Sequence, residues 1–179
     1  MNIGFFIGEM NLRGVANSSY QYAYYNERLL KNKSLIFYSK EEKFNKKEVI
    51  SKFKKKFKVI GVNGFKEMDH YGKKFHLDYI YVQKGGQIDH NASDKIKTLV
   101  HCVYPQKFKE IHGYKYIFIS EWLNKKISNK KIPFVPYIVE LHKTKENLKK
   151  KLNIKKNQIV FGCHGGESSF DLRFAHQTL

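Results

Sequence analysis

Met1-Asn-Ile-Gly-Phe-Phe-Ile7, then Gly8-Glu-Met-Asn-Leu-Arg-Gly-Val-Ala-Asn17, then the run from Ser18 to Lys31 is the stretch on which the fold turns. The first piece is a short, continuous apolar run. It lacks the length and basic flanks of a signal peptide, so it reads as a buried first strand. The second piece carries Gly8 and Gly14 and reads as a loop. The third repeats large side chains at Tyr22, Tyr25 and Leu29, a helical spacing that ends before Asn32. Strand, loop and helix together are the first step of an α/β unit.

Working outward, the same alternation recurs. Leu35-Ile-Phe-Tyr38 is a second strand, Lys46 to Phe57 a basic helix, and Val59-Ile-Gly-Val62 a third strand. A helix around Phe65 to Tyr71 precedes the strand Leu77-Asp-Tyr-Ile-Tyr-Val82, and Gly85-Gly86 makes a turn. Ile96 to Val103 and Tyr116-Ile-Phe-Ile119 follow as strands, the latter running into Ser120 as the cap of a helix that starts at Glu121. Alternating elements with continuous apolar strands predict a Rossmann-like α/β domain, a parallel sheet with helices on both faces. Beyond Phe134-Val-Pro136 come a strand-like Tyr137-Ile-Val-Glu-Leu141 and a lysine-rich amphipathic helix from Thr144 to Leu152. Ile159-Val-Phe161, the glycines 162, 165 and 166, and Ser168-Ser169 then open another strand, turn and helix with no further strand to pair with. The expected organisation is a Rossmann-like domain over 1–135, a connection over 136–157, and the start of a truncated second Rossmann-like domain over 158–179.

The 179 residues, 41% hydrophobic and 15% aromatic, suffice for one full core. A formal charge of +18 invites a nucleic-acid partner, but the excess is nearly all lysine, with arginine only at Arg13, Arg28 and Arg173. Direct readers of bases and phosphates lean on arginine's planar fork. The runs Lys54-Lys55-Lys56, Lys130-Lys131 and Lys149-Lys150-Lys151 are short enough to be solvated helix ends, and they also suit a face resting on anionic lipid. Cys102 and Cys163 lie far apart and form no CxxC pair, which points to a reduced, cytoplasmic protein.

Ligands of open parallel sheets bind beyond the carboxyl ends of the strands. That rule selects the Gly8–Asn17 loop. There Gly14 would let backbone amides approach an anion, and Arg13 could pair with a phosphate or carboxylate. The plainer alternative is that Gly14 only makes the turn and Arg13 is merely exposed. The rule also selects His101, at the end of its strand, which could hydrogen-bond a substrate hydroxyl or could be a structural histidine. Ser120 and Glu121 suit a helix cap and a first-turn acid. The other histidines (His70, His76, His90, His112, His142, His164 and His176) form no HxxxH or HExxH arrangement, so no metal site is expected. There is no GxGxxG fingerprint, no G-x-S-x-G elbow and no Walker-type loop.

Several segments in order resemble the N-terminal domain of GT-B type glycosyltransferases of the group-1, retaining class. They are Asn2-Ile-Gly-Phe-Phe-Ile7, Leu12-Arg-Gly14, Tyr20-Gln-Tyr-Ala-Tyr-Tyr-Asn-Glu27, Ser34-Leu-Ile-Phe37 and Ile119-Ser-Glu-Trp-Leu123. Val135-Pro-Tyr-Ile-Val-Glu-Leu141, Leu148-Lys-Lys-Lys-Leu-Asn-Ile154 and Val160-Phe-Gly162 are similar to that family's interdomain connection and first strand of its second domain. The resemblance implies two Rossmann-like domains facing a cleft. The first would hold a sugar, glycan or lipid acceptor, and the second most of a nucleotide-sugar donor. It implies that the Arg13-Gly14 loop faces the donor phosphates, that His101 is the catalytic histidine near the transferred sugar, and that Gly165 and Gly166 form the donor-side glycine turn. The nucleotide sugar would be a co-substrate, with neither a cofactor nor a metal. The family's paired glutamates would lie beyond Leu179, so the expectation is a transferase portion inactive without a separate C-terminal half. The alternatives are a non-catalytic module that pairs with such a half or with the inner face of the membrane and, ranked last, a basic nucleic-acid binder.

Overall fold

Six of the apolar runs lie side by side in one all-parallel sheet of order β3-β2-β1-β4-β5-β6. The computed structural model describes residues 1–89, 91–105, 112–140, 146–155 and 157–159. β1 (Asn2–Ile7) is the centre, with Phe5 opposite Ile36 of β2 (Lys33–Ser39) on one side and opposite Tyr81 of β4 (Tyr79–Lys84) on the other. β3 (Lys58–Val62) forms one edge, and β5 (Thr98–Cys102) leads to β6 (Lys115–Phe118) at the other. The strand order reverses between β1 and β4, so the chain departs in opposite directions from these two neighbours. This is the Rossmann order and its topological switch point.

Successive strand residues point to opposite faces, and the apolar runs therefore feed two cores. On one face Phe5, Ile7, Ile36 and Tyr81 meet Ala16 and Ala23 of α1 (Gly14–Leu30) and Val49 and Phe53 of α2 (Lys47–Lys54). On the other, Phe6, Leu35, Phe37, Val82 and Val100 meet Met68 of α3 (Glu67–Phe75) and Leu123 of α4 (Glu121–Ser128). Each large side chain so buried contributes about 1.5–3 kcal/mol.

The chain divides into two compact units, Met1–Ile138 and Val139–Leu179. Residues 136–138, expected in the connection, thus belong to the first unit. Within the second, Asn147 caps α5 (Leu148–Lys151) by accepting a 3.1 Å hydrogen bond from the Lys150 amide. Of the helix expected over Thr144–Leu152, this capped turn is what the described residues contain, and residues 144 and 145 lie outside them. Residues 137–140 form no strand; Phe134 instead makes a single bridge to Phe118. The glycine turn with Gly165 and Gly166 lies outside the described residues, as does everything from 160 onward. Among the described residues no helix is long and apolar enough to cross a membrane.

The first helix begins at Gly14, four residues before the expected Ser18. Asn11 explains the early start: its Oδ1 accepts from the Arg13 amide at 2.9 Å and turns the chain, so that Arg13 sits extended at the N-cap.

Candidate functional site

A cleft of about 450 Å³ opens at the switch point. Its wall is Gly8, Glu9, Asn11 and Arg13 to Val15 after β1, Gln83 at the end of β4, Val103 and Tyr104 beyond β5, Ile119 beyond β6, and Tyr137. Four strands therefore deliver their carboxyl ends to one hollow, where open α/β sheets hold ligands.

Arg13 and Gly14 both line it. The Arg13 guanidinium is largely exposed; it lies 3.9 Å from Glu9 Oε2 and packs over Phe44 at 5.9 Å from the ring centroid. Glu9 Oε2 is also taken by Asn11, whose Nδ2 donates to it at 2.6 Å. Gly14 is where Tyr137 comes down: the Tyr137 hydroxyl donates to the Gly14 carbonyl at 2.5 Å, and a Cβ added at Gly14 would stand 3.1 Å from that oxygen. The first turn of α1 holds no acidic side chain and Arg13 provides no side-chain cap, so the helix start keeps its positive character toward the cleft.

His101 does not line the cleft. It is 1% exposed, its Nδ1 is 2.6 Å from the Tyr81 hydroxyl, and its Nε2 is 3.1 Å from the Val135 carbonyl. Burial pulls its pKa down from 6.5 to about 4, against the opposing hydrogen bonds to backbone at Phe118 and Val135, so the ring is neutral near pH 7. Burial likewise raises the Tyr81 hydroxyl well above its ordinary value, and it stays protonated.

The histidine reaches the cleft through a relay that sequence reasoning missed. Gln83 Nε2 donates to the Tyr81 oxygen at 2.9 Å, and Gln83 Oε1 accepts from Ser18 Oγ at 2.6 Å. Ser18 and Gln83 are buried, and Gln83 is the relay member that lines the cleft. Tyr22 completes the packing. Its ring centroid lies 5.4 Å from that of His101, and its hydroxyl donates to the Pro136 carbonyl at 2.8 Å. Burial, with Tyr137 nearby, pushes its pKa up to about 12. A polar Gln closing an apolar strand was the available signal, hidden because strand positions read as core.

A second polar cluster sits on the other face of β4. Lys84 Nζ donates to Asp89 Oδ1 and, at 2.9 Å, to His112 Nδ1. Burial would raise the Asp89 carboxyl, but hydrogen bonds from Lys84 and Asn91 outweigh it and hold the pKa below 3.8. Tyr116 donates to the Gly86 carbonyl at 2.6 Å, so the chain after β4 is tied to β6. Cys102 beside it is a buried thiol, with its pKa pushed up to about 12 by burial. Ser120 caps α4, accepting from the Leu123 amide at 3.2 Å, and Glu121 pairs with Lys130 at 3.6 Å outside the cleft. Set against known protein families, curated proteins and solved structures, the chain finds no match.

Proposed function

We propose that Met1–Ile138 is the acceptor-side domain of a GT-B type, retaining glycosyltransferase that moves a sugar from a nucleotide-sugar donor to a sugar, glycan or lipid acceptor. The observation that carries this reading is the coincidence of the β1/β4 switch point with an open cleft walled by the Arg13–Gly14 turn. A strand-end hollow with polar groups and tyrosines at its rim is suited to a polyhydroxylated ligand. Transfer in such a site needs two things of the protein. Donor and acceptor must be held within reach of each other, and charge must be supplied where the leaving phosphate develops it. Arg13 serves the second need, since its largely exposed guanidinium is held by no more than a long contact to Glu9 and loose packing over Phe44. His101, behind the wall, acts by orienting Tyr81 and Gln83 rather than by touching the sugar. Gly165 and Gly166 belong to the donor-side turn in this reading, and the protein works in the cytoplasm.

The test is a titration of the ¹⁵N-labelled chain with nucleotide sugars and with mono- and disaccharides in the millimolar range. The reading expects amide shifts clustered at Gly8, Gly14, Gln83 and Tyr104. Full titrations that leave these four unmoved sink it.

A second reading, a module that rests on an anionic membrane, draws on one specific observation. Lys52 stands 4.8 Å over the Tyr20 ring, Lys56 5.6 Å and Arg28 5.9 Å over Tyr24, which makes a basic, aromatic strip across α1 and α2. Sedimentation with phosphatidylglycerol vesicles but not phosphatidylcholine vesicles would support it. Equal pelleting with neither removes it.

A further inference from the structure

The contact of His101 Nε2 with the Val135 carbonyl gives the relay behind the cleft a direction, and that direction sets what the cleft offers a ligand. A backbone carbonyl cannot donate, so the Val135 oxygen requires hydrogen on His101 Nε2. The neutral ring then has a bare Nδ1, which must accept from the Tyr81 hydroxyl. With its own hydrogen spent, the Tyr81 oxygen accepts from Gln83, which fixes the amide with Nε2 toward Tyr81 and Oε1 toward Ser18. The reverse amide orientation would need Tyr81 to donate to Gln83, hence a hydrogen on Nδ1, and would leave Nε2 facing the Val135 carbonyl lone pair against lone pair. An amide nitrogen carries two hydrogens. One goes to Tyr81, the second has no partner among the described residues, and Gln83 forms part of the cleft wall.

We infer that Gln83 presents a fixed N–H donor to the cleft, held there by the His101–Tyr81 relay, and that it selects ligands bringing a hydroxyl or carbonyl oxygen to that point. Gln83 is thus a specificity-determining residue and His101 and Tyr81 are positioning residues. The choice of a polyhydroxylated ligand rests on the transferase reading above; the orientation of the amide does not. Because the polarity originates at Val135, the segment that leads out of the sheet after β6 controls a hydrogen bond on the far side of the histidine.

Two measurements on the intact chain test this. Long-range ¹H–¹⁵N spectra should find His101 as the Nε2–H tautomer near neutral pH. Nuclear Overhauser contacts should run from one Gln83 side-chain amide proton to the Tyr81 ring and from the other to Val103 or Ile119. A hydrogen on Nδ1, or amide protons in contact with Ser18 instead, overturns the inference without any ligand. Titration with the saccharide that shifts the wild-type cleft most is the second measurement. Gln83→Met and Tyr81→Phe should each weaken it about five- to tenfold, the first by removing the donor and the second by freeing the amide to turn. Wild-type affinity in a folded Gln83→Met chain would also overturn the inference. If no saccharide binds wild type, the transferase reading fails, while the amide contacts still decide the orientation of Gln83.

Discussion

His101 carries the sharpest prediction at the scale of single residues. Its folded pKa, about 4, lies below the 6.5 of an unperturbed imidazole, so the unfolded chain binds the extra proton first as pH falls. The stability this contributes is complete above pH 6.5 and is lost as pH falls toward 4. The full loss is about 3 kcal/mol. Urea unfolding at a series of pH values should recover that slope, and His101→Gln, which can still donate to Val135, should flatten it. An unchanged slope in the variant would mean another group titrates. Arg13 behaves oppositely, since its side chain is 76% exposed and its pair with Glu9 is long. Arg13→Ala should leave stability within about 0.5 kcal/mol. The same change should weaken nucleotide-sugar binding about tenfold if the guanidinium meets phosphate. Calorimetric titration separates the two effects, and full affinity in the variant removes Arg13 from the site.

Elements are held by their ends, and the ends differ in how local they are. Ser120 sits extended at the N-cap of α4 with its Oγ accepting from Leu123, an arrangement within reach of sequence reasoning because cap and acceptor lie three residues apart. Ser120→Ala should cost about 1 kcal/mol in thermal or urea unfolding. Gly113, which precedes β6, depends on distant residues. Its φ is +87°, and an added Cβ would stand 2.9 Å from the backbone oxygen of Thr98. Gly113→Ala combines a left-handed backbone with a clash that no side-chain rotation relieves, so about 2 kcal/mol or more should be lost. The contrast also explains α1. Gly14 at the head of Gly14 to Asn17 announces a turn rather than a helix, yet the Asn11 side chain turns the chain early and the helix starts there.

At the scale of the whole molecule, the alternation of β-type and helical runs was readable from Ile3 to Leu123 because buried parallel strands are continuously apolar. Arg13, Gly14 and His101 were readable as strand-end residues for the same reason. The order β3-β2-β1-β4-β5-β6 was not, since it depends on pairings such as Phe5 with Tyr81 across 76 positions of chain. Tyr81, Gln83 and Tyr137 escaped notice because their polar ends matter only once that order brings them together. The charge, in turn, bears on stability rather than on fold. Lys84–Asp89 is the most buried ion pair among the described residues; the others are partly or largely exposed, and each is worth little. With +18 net, cations on average face cations, so long-range repulsion outweighs the surface pairs. Salt screens that repulsion within about 10 Å at 0.1 M. Raising sodium chloride from roughly 0.01 M to 0.1 M should therefore increase the urea midpoint of unfolding, with most of the gain below 0.1 M. A midpoint that falls as salt is added would mean that local ion pairs, Lys84–Asp89 foremost, outweigh the repulsion.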